Sequence, residues 1–280
     1  MVTTLETCIL NGQLIPLSQA TVSLANIEYS YGFGVYESVM VLRSKPIFAR
    51  EHCERLLESA SAIELQHPFS TETIHAWLHT LIEQISQERY NCKMLLIGAK
   101  EAGDAQLAII PLNPRFPEKK LYTYGAPVIT YAYQRTIPNA KTLNMLGSYL
   151  AYREAQKQNC YEALLQDTEG NLREGTRTNF FVVSGGTILS PPNEKILEGI
   201  TRKHILDIAT KEGIPVRYTD IPVQTLGEYD SAFLSSSTGK IMPVRKIGDI
   251  EYTEIPETTR RLMELYDALL KKQSPENRNA

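Results

Sequence analysis

Four consecutive hydroxyl side chains stand just before a Gly-Lys pair in SSSTGKIMPV, residues 235–244. Hydroxyls beside a lysine can bind phosphate, as they do in the P-loop motif G-x-x-x-x-G-K-[ST]. That motif requires a glycine five residues before Gly239 and a hydroxyl after Lys240, but Leu234 and Ile241 occupy these two positions. The stretch therefore does not predict a P-loop, and it stays a candidate phosphate site of another kind.

Three other short segments carry residues that could do chemistry. In GNLREGTRTNFFVV, residues 170–183, Glu174 follows a Gly-Asn turn and precedes an apolar strand. In LEGITR, residues 197–202, Gly199 precedes the predicted start of a helix, where free backbone N–H groups form an anion site. Lys141 follows IPNA and stands at a predicted helix entrance. Each signal alone is weak, because solvated glutamates, helix starts and surface lysines are common.

Together these segments favour one cofactor. Pyridoxal phosphate requires a lysine for its Schiff base, an acid for its pyridinium nitrogen and an anion site for its phosphate. The chain offers Lys141, Glu174 and two candidate anion sites. The residue types therefore indicate a pyridoxal-phosphate enzyme.

Other chemistries find less support in the sequence. His75 and His79 lie four apart on a predicted helix, a spacing that can place two imidazoles on one metal ion. The glutamate of H-E-x-x-H is missing and the other histidines supply no obvious third ligand, so we expect no metal. No G-x-S-x-G nucleophile elbow occurs, and acyl transfer therefore has no motif here.

Charge and cysteine content restrict the partners. The net charge of -3, from 29 basic and 32 acidic residues, gives no electrostatic footprint for nucleic acid or an anionic membrane. The four cysteines are scattered without a C-x-x-C pair, which favours a reducing compartment. No stretch is as apolar as a membrane span, and the N-terminal residues do not resemble a signal peptide. We expect a cytoplasmic protein that binds small molecules, with neither nucleic acid nor a membrane as a partner.

The 280 residues predict two domains. Three prolines and several charges in PLNPRFPEKK, residues 111–120, are typical of a connector. We therefore predict an N-terminal α+β domain over residues 1–120, a linker over 121–134 and a C-terminal cofactor-binding domain over 135–280, with a loose tail at 273–280.

Strands and helices follow one another without strict βαβ alternation, which predicts the α+β class, with a sheet packed by helices in each domain. The apolar pattern predicts a strand over Val35–Leu42 and a helix from about Thr142 to Gln158. The second prediction places Lys141 directly before a helix.

The chain resembles the class IV, or fold type IV, pyridoxal-phosphate aminotransferases. This family holds the D-amino acid and branched-chain aminotransferases and aminodeoxychorismate lyase. The matching segments lie in the family's order over nearly the whole chain: YGFGVYESV from Tyr31, EHCERL from Glu51, AKTLNML from Ala140, EALLQDTEGNLREGTRTNFF from Glu162, LEGITR from Leu197, and SSSTGKIMPV. The resemblance implies the two-domain fold of that family, pyridoxal 5'-phosphate as the cofactor, and a homodimer.

The resemblance also assigns cofactor contacts. Lys141 would form the Schiff base and carry the proton between the substrate Cα and the cofactor, and Glu174 would face the pyridine nitrogen. The cofactor phosphate would be bound by one arginine, two backbone amides and two hydroxyls, while one leucine would pack on the ring: Arg55, Ile200, Thr201, Ser236, Ser237 and Leu197.

Five residues are candidates for binding the substrate: Tyr31, Tyr36, Glu37, Lys100 and Arg135. In the D-amino acid enzymes, which this chain resembles at 35–37, the tyrosine matching Tyr36 helps to hold the substrate carboxylate. The Arg-x-His that completes this trap has no counterpart in IGAKEAGDAQLAII, where Lys100 stands nearby. Arg135 is a candidate for the cofactor O3′ or the substrate carboxylate, because guanidinium groups bind carboxylates bidentately.

The subfamily stays open at this point. K-x-L-N at Lys141–Asn144 resembles both the D-amino acid enzymes and the lyase, whereas the G-N-Y segment of the branched-chain enzymes is replaced by Leu143-Asn144-Met145. We expect a ping-pong transaminase that moves an amino group from a D-amino acid or a branched-chain L-amino acid to a 2-oxo acid. The alternatives are the elimination catalysed by aminodeoxychorismate lyase and a cofactor-binding protein without turnover.

Overall fold

The computed structural model describes residues 5–113 and 116–274, and it divides the chain into two compact units. The first unit holds the described residues of Met1–Arg115, Ala140–Asn144 and Leu270–Ala280, and the second holds those of Phe116–Asn139 and Met145–Leu269. Each unit contains a β-sheet and α-helices, so the predicted α+β class is confirmed. No helix within the described ranges is long and apolar enough to cross a membrane.

The first unit is built on a six-stranded antiparallel sheet in the order β2-β1-β6-β5-β3-β4, with two helices. Its elements are β1 (Thr7–Leu10), β2 (Gln13–Pro16), β3 (Gly34–Leu42), β4 (Lys45–Pro46), α1 (Ala49–Ala62), α2 (Thr71–Ile82), β5 (Arg89–Ile97) and β6 (Gln106–Leu112).

Strand β3 presents different residues on its two faces, because side chains alternate along a strand. Val35 and Val39 are buried in the same apolar core as Cys53 and Leu56 of helix α1. Tyr36, on the opposite face, is only partly buried. The alternation therefore gives β3 one face packed in the core and one face that is partly open at Tyr36 and Ser38.

The second unit is built on a nine-stranded mixed sheet in the order β12-β11-β10-β13-β14-β7-β8-β9, with β15 paired to β14. Its elements are α3 (Lys119–Tyr124), β7 (Ala126–Ala132), α4 (Leu146–Lys157), β8 (Glu162–Gln166), β9 (Leu172–Gly175), β10 (Asn179–Ser184), β11 (Thr187–Ser190), α5 (Ile200–Lys211), β12 (Val216–Tyr218), β13 (Ser231–Ser236), β14 (Lys240–Ile247), β15 (Ile250–Glu251) and α6 (Glu257–Gln273), the last of which continues into the first unit.

Strand β9 also pairs with β10, at Glu174 and Asn179. The strands from β10 through β13, β14, β7 and β8 to β9 therefore close into a ring. This closure buries all of β9 on both faces, including Glu174. A residue that could have been a solvated hairpin glutamate is thus enclosed.

Lys141 does not stand directly before a helix, contrary to the sequence prediction. The Tyr36 N–H donates to the Lys141 carbonyl over 2.9 Å, the Leu143 N–H donates to the Gly34 carbonyl over 2.8 Å, and Val35 pairs with Thr142. Strand β4 covers only the far end of β3, at Val41 and Leu42, so the near end offers an open edge. Residues 140–144 therefore extend the first sheet, and α4 begins only at Leu146.

The chain near the predicted linker and tail also differs from the prediction. Residues 121–134 contain most of α3 and all of β7, whose backbone bonds to β8 and β14 make it part of the second sheet. Gln273 ends α6, and the buried Ser274 donates its Oγ–H to the Leu42 carbonyl over 2.8 Å. The rest of the predicted loose tail, 275–280, lies outside the described residues.

Candidate active site

Lys141 is held by its backbone. Its N–H donates to Oγ of Ser59, a buried residue of α1, over 3.1 Å, and its carbonyl accepts the Tyr36 N–H. Its Nζ lies 4.6 Å from the centroid of the Tyr36 ring. In the part of the chain that the structure describes, no carboxylate forms an ion pair with this amine. The amine is therefore placed next to an aromatic ring without being neutralised.

A buried charged cluster lies on the other face of β3, where Glu37 contacts helix α1. The Arg55 guanidinium donates through Nε to Glu37 Oε1 over 2.6 Å and through Nη2 to Oε2 over 2.9 Å, which is the bidentate arrangement. His52 Nδ1 lies 2.8 Å from Oε2. Because an ionised carboxylate only accepts hydrogen bonds, we assign the His52 ring proton to Nδ1.

Burial alone would raise the pKa of Glu37, but Arg55 and His52 outweigh it and hold that pKa far below its usual range. Burial lowers the pKa of His52, against the raising effect of Glu37. The cluster is therefore a carboxylate, a guanidinium and a neutral imidazole. Glu37 is fully buried with both oxygens engaged, so it orients Arg55, and this arrangement does not favour the substrate contact predicted for Glu37. The phosphate-binding role of Arg55 stays a prediction.

Two of the predicted substrate contacts face solvent. Tyr31 ends a short 3-10 helix, Ile27–Tyr31, and is 75% exposed. Lys100 is also exposed, three residues after the end of β5. Tyr36, by contrast, lies beside Lys141, so it is the predicted substrate contact that the structure brings to the Lys141 amine.

Three buried polar residues lie side by side in the second unit. Glu174 of β9 pairs with Asn179 of β10, and Asn179 pairs on its other side with Ser235 of β13. Directly paired residues of neighbouring strands project from the same face of a sheet. Glu174, Asn179 and Ser235 therefore form one polar row, and this name is kept for them below.

Glu174 is fixed through both of its carboxylate oxygens. Oε1 accepts a hydrogen bond from Arg135 Nη1 over 2.9 Å, and Oε2 accepts one from the Leu197 N–H over 3.2 Å. Arg135 also donates to the Pro138 carbonyl over 2.9 Å. Arg135 therefore compensates and orients Glu174, while its predicted contact with the cofactor O3′ or the substrate carboxylate stays a prediction.

The start of helix α5 offers free backbone donors. Gly199 is the N-cap residue, and no side chain caps the helix. Ile200 and Thr201 are the first two helical residues, and both are buried. Asn179 anchors this segment, because its Nδ2 donates to the Leu197 carbonyl over 2.7 Å. A Cβ atom on Gly199 would lie 2.0 Å from Asn179 Oδ1, so the backbone can come this close only with glycine.

The turn from β13 to β14 adds hydroxyl groups. Ser235 Oγ is buried and has no hydrogen-bond partner among the described residues. Ser236 Oγ accepts the Gly239 N–H over 3.0 Å, and both Ser236 and Ser237 are partly buried. A buried hydroxyl without a partner is costly unless a ligand completes it.

These residues suit a phosphorylated pyridine aldehyde. An unpaired amine can react with an aldehyde, a fixed carboxylate can accept the proton of a pyridinium, and helix amides with hydroxyls can bind a phosphate. The unpartnered Ser235 Oγ, next to Asn179, is consistent with a bound oxygen atom. The donor set therefore fits pyridoxal phosphate.

Three contributors were not found from the sequence as functional residues. His52 belongs to the EHCERL segment and lies one helical turn before Arg55, a spacing that signals proximity. Asn179 begins a buried apolar strand, where an amide is unexpected. The sequence gives no signal for Ser59, because its contact with the Lys141 N–H joins distant parts of the chain.

Comparisons with known proteins agree with this description. Residues 34–247 match the sequence profile of the family described as Amino-transferase class IV. The D-alanine aminotransferase of Listeria monocytogenes serotype 4b (strain F2365) is 30% identical over 262 residues, covering 88% of this chain and 89% of that protein. The putative branched-chain-amino-acid aminotransferase of Methanocaldococcus jannaschii is 29% identical over 273 residues, covering 92% and 94%.

Solved structures give the same result. The branched-chain aminotransferase of Thermoproteus uzoniensis, crystallised with norvaline, matches with a TM-score of 0.85 and 26% identity over 96% of both chains. The T.th. branched-chain amino acid aminotransferase, with pyridoxamine 5'-phosphate, matches with a TM-score of 0.87 and 25% identity over 96% of this chain and 95% of that one. The chain therefore belongs to the class IV aminotransferases, the pyridoxal-phosphate-dependent enzymes that its sequence resembles.

Proposed function

We propose that this enzyme moves the amino group of a D-amino acid or a branched-chain L-amino acid to a 2-oxo acid. The observation that carries the proposal is the placement of Lys141. Its backbone is bonded to Ser59 and Tyr36, while its amine has no ion-pair partner among the described residues. A lysine whose backbone is fixed and whose amine has no acidic partner can both bond to a cofactor and exchange a proton.

The other residues have supporting roles in this proposal. Bound pyridoxal phosphate supplies an electron sink for the negative charge that develops at the substrate Cα. Lys141 Nζ holds the cofactor and moves the Cα proton. Glu174 keeps a proton on the pyridine nitrogen, and Arg135 and the Leu197 N–H keep the Glu174 carboxylate oriented.

The cofactor phosphate, in the same proposal, is bound by groups that the family resemblance names. The backbone N–H groups of Ile200 and Thr201 lie at the uncapped start of α5. The hydroxyls of Ser236 and Ser237 and the guanidinium of Arg55 complete the set. Leu197 packs against the ring.

Each of the two substrate classes has its own support. The D-alanine aminotransferases of Listeria innocua and Listeria monocytogenes are 30–31% identical to this chain, which favours a D-amino acid. The structural likeness to the branched-chain aminotransferases of Thermoproteus uzoniensis and T.th. favours a branched-chain substrate. The same fold and cofactor serve both classes, so the two can be distinguished only by measuring which amino acids react.

The deciding experiment is a visible absorption spectrum of the purified protein with pyridoxal phosphate, before and after separate panels of D- and L-amino acids. Loss of the lysine-bound cofactor band with D-alanine alone would establish a D-amino acid aminotransferase. Loss with L-leucine or L-valine alone would establish a branched-chain enzyme. A protein that develops no such band, with Lys141 intact, would contradict the proposal.

The proposal includes a homodimer in the cytoplasm. Four apolar side chains are exposed between residues 24 and 31, namely Leu24, Ile27, Tyr29 and Tyr31, and Leu24 is 94% exposed. A contiguous apolar stretch of this kind is typical of a surface that another chain covers. The four cysteines, all within the described ranges, form no disulfide bonds, which fits a reducing compartment. Light scattering after gel filtration should give twice the chain mass, and Leu24→Asp should shift the protein towards a monomer.

A further inference from the structure

A second lysine shares the face of the first sheet that carries Tyr36. In the antiparallel pairing of β3 with β5, Tyr36 lies opposite Leu95 and Ser38 lies opposite Lys93. Residues paired in this way, and residues two apart on a strand, project from the same face. Lys93 is therefore a diagonal neighbour of Tyr36.

The distances agree with the register. Lys93 Nζ lies 5.2 Å from the centroid of the Tyr36 ring, and Lys141 Nζ lies 4.6 Å from the same centroid. The two nitrogens can be no farther apart than these two distances added together. Two ammonium groups are thus held beside one tyrosine.

Lys93 is partly buried, and nothing among the described residues forms an ion pair or a hydrogen bond with its Nζ. The hydroxyl of the paired residue Ser38 does not bond to Lys93, because it accepts a hydrogen bond from Asn91 Nδ2 over 3.3 Å. Two like charges at this separation repel each other, and partial burial removes some of their hydration. Such an arrangement becomes favourable when an anion binds between or beside the two groups.

The substrates of the proposed function supply such an anion. Every α-amino acid and 2-oxo acid carries a carboxylate one bond away from the carbon that reacts at the Lys141 amine. A donor to this carboxylate must therefore lie close to Lys141 without being Lys141 itself, and a cation makes the stronger hydrogen bond. Lys100 is exposed, and the Arg-x-His of the D-amino acid enzymes is missing, whereas Lys93 meets the requirement.

We infer that Lys93 binds the α-carboxylate of both the amino acid and the 2-oxo acid, an assignment that rests on the proposed function. Tyr36 separates the two lysines, so that Lys141 reacts at Cα while Lys93 holds the carboxylate. Because an ammonium is a point charge without the planar fork of a guanidinium, the site fixes the position of the carboxylate more than its rotation.

The test compares Lys93→Gln and Lys93→Arg with wild type, all loaded with pyridoxal phosphate. The first readout is the affinity for an unreactive carboxylate, 4-methylvalerate, measured by calorimetry and needing no turnover. The second is the split between KM and kcat for donor and acceptor. Because a hydrogen bond to a charged group is stronger than one between neutral groups, Lys93→Gln should weaken 4-methylvalerate binding and raise both KM values about 10- to 100-fold. Lys93→Arg should recover most of the loss.

Lys45→Gln is the matched control, because Lys45 is an exposed lysine on β4 of the same unit. It should leave carboxylate affinity and both KM values unchanged. All variants should keep the cofactor band, since Lys141 is intact.

Several results would overturn the inference. One is a Lys93→Gln enzyme whose affinity for 4-methylvalerate stays within twofold of wild type. Another is a rise in the KM of Lys93→Gln that is confined to amino acid donors with acidic side chains. A comparable loss in Lys100→Gln but not in Lys93→Gln would assign the role to Lys100. If wild type shows no cofactor band and no half-reaction, the proposed function fails instead. A cofactor band combined with unchanged affinity in Lys93→Gln rejects this inference alone.

Discussion

The two units hold Lys141 and Glu174, the residues predicted to bind the two ends of the cofactor ring, in opposite ways. In the first, Lys141 is bonded through its backbone on both sides, while its amine and that of Lys93 have no acidic partner in the described ranges. In the second, Glu174 has hydrogen bonds to both side-chain oxygens. In the proposed function, Lys141 must form and break bonds and is held only through its backbone, whereas Glu174 must keep its charge and is held at its carboxylate.

The first unit contains both arrangements, on opposite faces of one strand. Tyr36 faces the Lys141 amine. The next residue, Glu37, is buried and hydrogen-bonded to Arg55 and His52. Strand alternation is sufficient to separate the two environments. The comparison predicts that substitutions among the unpaired cations change chemistry, whereas substitutions among the paired groups change stability or cofactor affinity.

The largest effect is expected for Lys141→Ala, which in the proposed function removes both the bond to the cofactor and the carrier of the Cα proton. Removal of a general acid–base group alone slows a reaction roughly 10²- to 10⁴-fold, and we expect at least this loss in the half-reaction. The lysine-bound cofactor band should disappear from the visible spectrum. Lys45→Ala, on the exposed surface of the same unit, should keep the band and the rate. Wild-type turnover in Lys141→Ala would show that the unpaired Lys141 amine is not needed for the reaction.

The next effect is expected for Arg135→Gln, which leaves the buried Glu174 carboxylate without its ion-pair partner. The Glu174 side chain is 7% exposed and that of Arg135 is 17% exposed. Removing one partner of a buried pair costs about 3 kcal/mol. Urea unfolding of the cofactor-free protein should show this decrease in the free energy of unfolding.

The double variant Arg135→Gln, Glu174→Gln is the control for this cost. It no longer contains an unpaired charge, so it should recover part of the stability lost in Arg135→Gln. A single variant as stable as wild type would mean that the pair does not hold the polar row in place.

A smaller effect is expected for Gly199→Ala at the start of α5. The new Cβ would meet Asn179 Oδ1, and the start of the helix must move away from the polar row. The φ of Gly199 is -65°, which any residue adopts, so the clash is the only cost. Binding of pyridoxal phosphate, measured by fluorescence titration, should weaken roughly tenfold, or about 1.4 kcal/mol.

Gly227→Ala provides the matched control for Gly199→Ala. Its Cβ would meet only Ile250 Cδ1, at an ordinary 3.9 Å, within the same unit. Equal cofactor affinity in the two variants would show that the start of α5 does not bind the phosphate.

The sequence could predict residue types and family membership, because these depend on contiguous segments such as LREGTR and LEGITR. It could not predict partners that are distant along the chain. Lys141 was expected before a helix, but the open edge of β3 binds its backbone. Glu174 could have been solvated, and only the closure of the strand ring buries it. Lys93 belongs to no motif, and its position follows from the register of β5 against β3.

The smallest expected effect is a pH dependence from His52. Burial lowers the pKa of His52 in the folded protein, so below about pH 6.5, the ordinary histidine pKa, the unfolded chain binds a proton that the folded protein does not. The free energy of unfolding therefore falls as the pH falls below this value, because protonation of His52 favours the unfolded chain.

His52→Gln isolates this contribution. A glutamine amide can still donate to Glu37 Oε2, and it does not titrate in this range. Urea unfolding at several pH values should give a shallower decline for the variant, while the other histidines contribute equally to both proteins. Parallel curves would mean that His52 binds a proton as readily in the folded protein as in the unfolded chain. At low pH the Glu37 cluster would then hold two cations, Arg55 and His52, against one carboxylate. Its charges would be less well balanced than those of the Glu174–Arg135 pair in the second unit.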